Sequence, residues 1–174
     1  MDLALLSKSM IQMELQGEQL MLYRIIVFLH VISTFGFLLS HGASVSMAFA
    51  LKRERDSQKI RALLDLSGAS YPLMSLTLLA SIVFGIIAGF QGHWWKFGWI
   101  WASIALLVVI LILMYFLGSN IYGAARTALG LPSEPPGNDE ELFAILQKSN
   151  PVLLTIIGYG GYAIIAWLMM VKPF

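Results

Sequence analysis

The sequence predicts an all-α membrane protein, a bundle of four transmembrane helices that forms one domain, residues 1–174. Hydrophobic residues make up 58% of the 174-residue chain and charged residues 12%, whereas soluble domains contain about 25% charged residues. Four apolar runs are long enough to cross the hydrocarbon core, which takes about 20 helical residues. These runs are 22–51, 71–90, 97–121 and 151–171. The short connections between them leave no room for a separate soluble domain.

Charge and cysteine content exclude several functional classes. The net charge is +1 and the basic residues lie at the edges of the apolar runs, so nothing indicates nucleic-acid binding. The chain has no cysteine, which excludes disulfides, thiolate metal sites, iron–sulfur clusters and covalently attached haem. The apolar interiors of the four runs lack Asp, Glu, Lys and Arg. Proton-driven transporters usually depend on such residues within the membrane, so this class is disfavoured.

The segment before the first span predicts an N-terminal amphipathic helix. Apolar or small residues recur at alternating intervals of three and four, while Lys8, Glu14 and Glu18 fall on other faces. We expect this helix to lie on the outer membrane surface or against a partner helix. The residues of its apolar face are Leu3, Leu6, Met10, Met13, Gly17 and Leu20.

The third loop predicts a short cytoplasmic helix. A segment rich in proline and glycine, 132–137, is followed by Asn138 as a helix cap and by acidic residues in the first turn, up to Glu141. The helix is expected to run to about Lys148 as a solvated or interfacial connector. Asn150 and Pro151 then begin the fourth span as its cap and first residue.

The distribution of basic residues predicts the orientation. Loops one and three carry seven of the eleven Lys and Arg residues, and the opposite side carries four. The positive-inside rule therefore places these loops in the cytoplasm and both termini outside. Aromatic residues agree with this orientation, because tryptophans anchor spans at the headgroup level. The five tryptophans, all at predicted outer ends, are Trp94, Trp95, Trp99, Trp101 and Trp167.

The first span carries two histidines, His30 and His41, on one face. Eleven helical residues bring them to within 20° of each other around the axis and about 16 Å apart along it. Ionisable groups within the bilayer usually face the bundle interior and mark functional sites. One interpretation is that both rings are neutral and hydrogen-bonded to neighbouring helices. The other is that they bind haem iron or copper, since imidazole is the commonest metal ligand. Their stripe also contains Thr34, Phe37, Ser44 and Ala48.

Further candidate cofactor residues follow from depth in the membrane. His93 lies just beyond the second span, from where it can dip toward His30, and Met114 lies near the depth of His41 as a candidate axial thioether. Tyr159 and Tyr162 of the fourth span can hydrogen-bond a histidine or a haem propionate. Three histidines are too few for two bis-histidine haem sites in one chain.

The segment Leu29-His30-Val31, followed by small residues and a basic loop, resembles the opening helix of a group of bacterial four-helix membrane proteins. The group includes the copper-resistance D (CopD) family, the HemJ type of protoporphyrinogen oxidase, and a neighbouring family of integral membrane proteins of unknown function. The likeness is greatest to the last family, through the first helix and the run 99–117. The resemblance implies a histidine-bearing bundle in the bacterial inner membrane, with haem or copper as cofactor, and His30 matches the first-helix histidine of those families.

Together these observations predict a small membrane protein that binds b-type haem through His30 and His41, for electron transfer or haem handling. A different class of function is a non-catalytic accessory subunit, whose glycine-rich faces and N-terminal helix dock on a larger membrane complex or on a second copy of the chain. Copper binding or transport is a third. The sequence does not predict catalysis, and the expected surroundings are membrane lipid.

Overall fold

The computed structural model describes residues 3–129 and 139–174, and the regular secondary structure in this part of the chain is entirely helical. Four helices are long and apolar enough to cross a membrane, so the chain is a multi-pass membrane protein. This confirms the predicted all-α four-helix fold. The four candidate spans are Met10–Arg53, Ser57–Gln91, Gly98–Ala128 and Pro151–Val171.

The first helix, α1, is a single element of 51 residues, Leu3–Arg53. At 1.5 Å per residue its length is roughly 76 Å, more than twice the thickness of the hydrocarbon core. The predicted N-terminal helix is therefore helical, but it is continuous with the first span and does not form a separate element. The Tyr23 ring meets Trp94 at a centroid distance of 6.1 Å. Residues 10–22, which precede this contact, are all exposed, so the segment projects beyond the bundle.

The second helix, α2, spans Ser57–Gln91 and begins about four turns before the predicted apolar run. Its start is determined by Asp56, whose side chain accepts hydrogen bonds from the backbone N–H groups of Gln58 and Lys59. Hydropathy identifies the part of a helix that is apolar, but the cap determines where the helix begins. The first loop is consequently limited to residues 54–56.

The third and fourth spans are each interrupted by a π-helical turn. In the third span, α3 (Gly98–Met114) and α4 (Asn120–Ala128) flank the turn Tyr115–Ser119. In the fourth, α6 (Pro151–Thr155) and α7 (Gly161–Val171) flank the turn Ile156–Gly160. The fourth span begins as predicted, with the Asn150 side chain accepting a hydrogen bond of 3.0 Å from the Leu153 N–H. Such π turns are rare and occur often at functional sites.

The helices pack as two antiparallel pairs, α1 with α2 and α3 with α7. One end of the bundle, here called the tryptophan end, consists of residues 91–101 and 172–174. There Trp99 is 2% exposed, and the Lys172 ammonium lies 4.7 Å from the centroid of the Trp94 ring. A cation over an indole face is favourable. The tryptophans were predicted to cluster at one end of the spans, and the tryptophan end agrees with that prediction.

The other end, here called the basic end, consists of residues 50–65, 122–129 and 139–153, and is closed by α5 (Asp139–Gln147). Leu142 and Leu146 of α5 are each 1% exposed, so α5 is packed against the spans. Of the two predicted alternatives, a solvated or an interfacial connector, this burial contradicts only the solvated one. The predicted cap Asn138 and the proline-rich segment lie outside the described residues. The apolar side chains that α5 covers are Leu51, Ile60, Leu64, Ala125 and Leu129.

Basic side chains stabilise the helix ends at the basic end. Lys52 donates to the carbonyl of Gln147 at 3.2 Å and also to that of Ser149, beyond the last residue of α5. Arg61 donates to the Leu129 carbonyl, just after α4, at 2.6 Å. A cation at a helix C-terminus satisfies free carbonyls and interacts favourably with the helix dipole.

Truncating the side chain of Leu146 should destabilise the protein. We expect Leu146→Ala to lower the free energy of unfolding in detergent by about 2–5 kcal/mol, because it leaves a cavity under α5. The control is Leu66→Ala, since Leu66 is 60% exposed and its truncation should change stability by less than about 0.5 kcal/mol. Equal effects of the two substitutions would show that α5 is not packed on the spans.

The carboxyl group of Glu54, in the first loop, should titrate at a lower pH than an ordinary glutamate. The Glu54 carboxylate accepts hydrogen bonds from the N–H groups of Arg55 and Asp56 at 2.9 and 3.1 Å, and these bonds lower the pKa of Glu54 below its ordinary value of 4.5. A lowered pKa stabilises the loop above pH 4.5, and this stabilisation is lost as the pH falls through the folded-state value. A ¹³C titration of the carboxyl group measures this pKa. A pKa at or above the ordinary value would contradict the proposed hydrogen bonding.

Candidate functional site

A cavity of about 640 Å³ lies between the four spans, within the range of about 300–1,000 Å³ that is typical of small-molecule sites. It extends from the middle of the spans to the basic end, and most of its lining is apolar. Each span contributes side chains to it. They include Phe37, His41, Ser44 and Met47 of α1, Gly68, Tyr71 and Met74 of α2, Leu107, Met114, Gly118, Tyr122 and Arg126 of the third span, and Leu154, Gly158 and Tyr162 of the fourth.

His41 lines this cavity with a nitrogen that has no hydrogen-bond partner. Its Nε2 atom is completely buried and makes no hydrogen bond within the described residues. The ring is held by aromatic contacts, stacked on Phe37 at a centroid distance of 5.8 Å and tilted against Tyr159 at 5.5 Å. Leaving a buried polar atom unpaired costs free energy. Nε2 is covered by neighbouring protein atoms, so a ligand would reach it only after these neighbours shift. The unpaired nitrogen is the feature of the site most indicative of a ligand.

Glycine at position 158 makes room for His41 and for Met114. A Cβ atom on Gly158 would lie 2.4 Å from His41 Nε2 and 2.8 Å from Met114 Cε, distances far inside van der Waals contact. The imidazole nitrogen and the thioether methyl therefore converge on the same backbone position. The prediction that Met114 lies near the depth of His41 is consistent with this geometry. The π turn Ile156–Gly160 contains Gly158, so the irregular backbone borders the same point.

His30 has a different environment and a hydrogen-bond partner. Its Nδ1 atom donates to the Ser81 carbonyl of α2 at 2.7 Å, and the Thr34 and Ser81 hydroxyls are hydrogen-bonded at 2.6 Å. A Cβ atom on Gly85 would lie 3.0 Å from the His30 ring, which shows how closely the ring packs on α2. His30 is absent from the lining of the cavity. It joins α1 to α2, as the structural interpretation of the histidines expects.

The face of α1 that carries both histidines is turned toward neighbouring helices along its whole length. Its two halves have different functions. His30 and Thr34 bond to α2, whereas Phe37, His41 and Ser44 line the cavity. The division follows from packing, because α1 lies against α2 along its length and against the fourth span toward the basic end. The two histidines therefore have different surroundings, since His41 lines the cavity and His30 does not.

The two candidate tyrosines lie near the site without bonding a histidine. The Tyr159 ring packs against His41, and its hydroxyl lies 2.6 Å from the position that a Cβ on Gly42 would occupy. Tyr162 lines the cavity and its hydroxyl interacts with the Thr34 side chain. Both tyrosines thus help to position α1 against the fourth span.

His93 lies in the turn that follows α2. It is exposed and adopts a left-handed backbone conformation, φ 54°, immediately before the 3₁₀ turn Trp94–Lys96. Gly85, which His30 contacts, lies six helical residues before the end of α2 at Gln91, or about 9 Å along the axis. The expectation that His93 dips toward His30 stays a prediction.

Sequence reasoning did not identify the polar part of the cavity at the basic end. Arg126, treated as a loop residue, belongs to α4 and lines the cavity. One turn earlier, the Tyr122 hydroxyl is buried beside Ser149 without a well-formed hydrogen bond. The spacing of Tyr122 and Arg126, four residues apart in the chain, was the available signal, because such residues share a helix face. It could be used only once α4 was known to be helical.

The candidate metal ligands of the site are few. Among residues 3–129 and 139–174, no three His, Asp or Glu side chains lie close enough together to hold a metal ion. A copper ion would depend on His41 and on thioethers such as that of Met114. Haem b needs only one or two axial ligands and an apolar cavity, and the orphaned His41 nitrogen and the glycine beside it fit that requirement.

The chain was compared with family models, with curated proteins and with solved structures. None of these comparisons finds a match.

Proposed function

We propose that this protein binds b-type haem in the cavity between its four spans, with His41 as an axial ligand. The observation that carries the proposal is the buried His41 Nε2 atom, which has no hydrogen-bond partner and belongs to a ring that lines the cavity. Neutral imidazole is a common axial ligand of haem iron. A bound iron would satisfy this nitrogen, whose burial is otherwise unfavourable.

The surroundings of His41 support the same ligand. Met114, whose methyl group converges with Nε2 on Gly158, is the candidate for the second axial position. The Phe37 and Tyr159 rings restrict the orientation of the imidazole, and such support lowers the cost of ordering a ligand side chain. The apolar lining excludes water and is compatible with a porphyrin face.

Haem b, when bound, supplies a one-electron redox centre. The chain would then act in electron transfer within the membrane or in haem handling. His41 would hold the group, the apolar lining would limit access of water, and Gly158 would keep the approach to Nε2 free of a side chain. His30 is not part of this proposal, because it is absent from the residues that line the cavity.

We also propose that the protein resides in a bacterial inner membrane with its basic end in the cytoplasm and both termini outside. The excess of Lys and Arg at the basic end supports this orientation, as do the tryptophans that cluster at the opposite end. The bacterial membrane rests on the resemblance of the first helix to the CopD and HemJ group.

A second candidate, an accessory subunit of a membrane complex, is favoured by the projecting part of α1. Residues 10–22 are all exposed, and an apolar surface that no described part of the chain covers is typical of an interaction site. Its large exposed side chains are Met10, Ile11, Met13, Leu15, Leu20, Met21 and Leu22. This role is compatible with haem binding but does not require it.

Absorption spectroscopy of the detergent-purified protein tests the haem proposal. We expect a Soret band after expression with haem or reconstitution, and we expect His41→Ala to weaken haem binding at least about tenfold. Added imidazole should restore the band in this variant, because it can enter the space that the side chain leaves. His30→Ala is the matched control and should retain the band.

The outcomes separate the candidates. A band that disappears with His30→Ala and persists with His41→Ala would contradict the assignment of the ligand. A colourless wild-type protein that co-purifies in fixed ratio with other membrane subunits would contradict haem binding and support the accessory role.

Two glycines of one π turn provide a further test. Gly158→Ala should disturb the site and reduce haem binding at least about tenfold, because its Cβ would lie 2.4 Å from His41 Nε2. Gly160→Ala is the matched control, since its Cβ would meet no atom within 4 Å. Haem titration and thermal unfolding of both variants distinguish a local effect from loss of the fold. Full haem affinity in Gly158→Ala would argue against a site beside His41.

A further inference from the structure

Arg126 is the one charged side chain among the residues that line the cavity in the described part of the chain, His41 aside. It is half-buried, and its guanidinium donates one hydrogen bond, to the Leu64 carbonyl of α2. Among the described residues no carboxylate forms an ion pair with it, whereas Lys59 pairs with Asp56 at 3.9 Å. A cation between membrane helices without a counter-ion is unfavourable and indicates a functional site.

The Arg126 guanidinium is held in place, and it still has N–H donors available for a ligand. A guanidinium has five N–H donors in a planar fork that matches the two oxygens of a carboxylate. A Cβ atom on Gly68 would lie 2.5 Å from Nη1 of Arg126, so the glycine provides the space that this group occupies. The hydrogen bond to Leu64 fixes one side of the fork, and other donors remain available for an anionic group.

The two ends of the cavity are chemically different. Met114 and His41 lie in its apolar part, and Arg126 follows Met114 by twelve residues along the third span, or about 18 Å of helix. The guanidinium lies beside the Leu64 carbonyl and Gly68 of α2, which places it in the part of the cavity near the basic end. The cavity is therefore complementary to an amphiphile with an acidic end.

We propose that Arg126 binds the carboxylate groups of the amphiphile that occupies the cavity. This inference rests on the proposed function, in which the amphiphile is haem b and the carboxylates are its two propionates. Haem then lies with its propionates toward the basic end and its apolar edge toward the middle of the spans. Arg126 fixes this orientation, and His41 supplies the bond to iron.

The test compares haem b with its dimethyl ester, in which both propionates are neutral. Wild-type protein should bind haem b at least about tenfold more tightly than the ester, because the ester cannot form charge-assisted hydrogen bonds with the guanidinium. The Arg126→Gln variant should lose affinity for haem b but not for the ester. It should therefore bind the two forms equally within about twofold. Arg61→Gln is the matched control and should keep the preference, since Arg61 caps the Leu129 carbonyl and lies outside the cavity lining.

Each outcome bears on a separate claim. Equal affinity of the wild-type protein for haem b and its ester, with a normal Soret band, would overturn the role of Arg126 and leave the proposed function intact. Failure of both forms to bind would overturn the proposed function and this inference with it. A phospholipid that native mass spectrometry finds on wild-type protein, but not on Arg126→Gln, would assign the guanidinium to a lipid phosphate and overturn its assignment to haem.

Discussion

In hydrocarbon a polar group that finds no partner is costly, and this constraint determines what each part of α1 can do. His30 meets the Ser81 carbonyl, so its imidazole joins α1 to α2 and is satisfied within the fold. Three turns further on, the bundle opens, and His41 has aromatic rings around it but no donor or acceptor for Nε2. The same residue type on the same helix face therefore stabilises the scaffold at one depth and remains available for a ligand at another.

The cavity exists because the bundle is closed at its ends and less tightly packed between them. At the tryptophan end, Lys172 lies over two indole rings. At the basic end, α5 covers the spans, and Lys52 and Arg61 hold helix ends together through backbone carbonyls. The two clusters of buried apolar side chains lie at these ends, and the cavity lies between them. Glycines that face the cavity leave space that side chains from neighbouring helices enter. Stability thus comes mainly from the ends, which leaves the middle free to bind a molecule.

The parts of the fold that depend on local sequence could be predicted. The length of the apolar runs predicted the four spans, and Asn150 and Pro151 predicted the start of the fourth. Helical spacing predicted the inward face of α1 that carries His41. Features that depend on tertiary packing could not. The N-terminal segment joins α1 without a break, α2 begins at Asp56 within a polar sequence, and the two π turns have no residue signature. The polar end of the cavity was missed because hydropathy ended the third span before Arg126, although α4 continues the helix.

The continuity of α1 has a mechanical consequence. A helix without a hinge behaves as a rod on the scale of a few turns, so its projecting part and the part that carries His41 move together. Because the bundle begins near Tyr23, the exposed segment 10–22 is roughly 20 Å long at 1.5 Å per residue, about two-thirds of the thickness of the hydrocarbon core. A sideways displacement of its tip would pivot the rod within the bilayer, and the imidazole would shift relative to Gly158. The outermost residues of the chain thus act as a lever arm on the interior of the membrane.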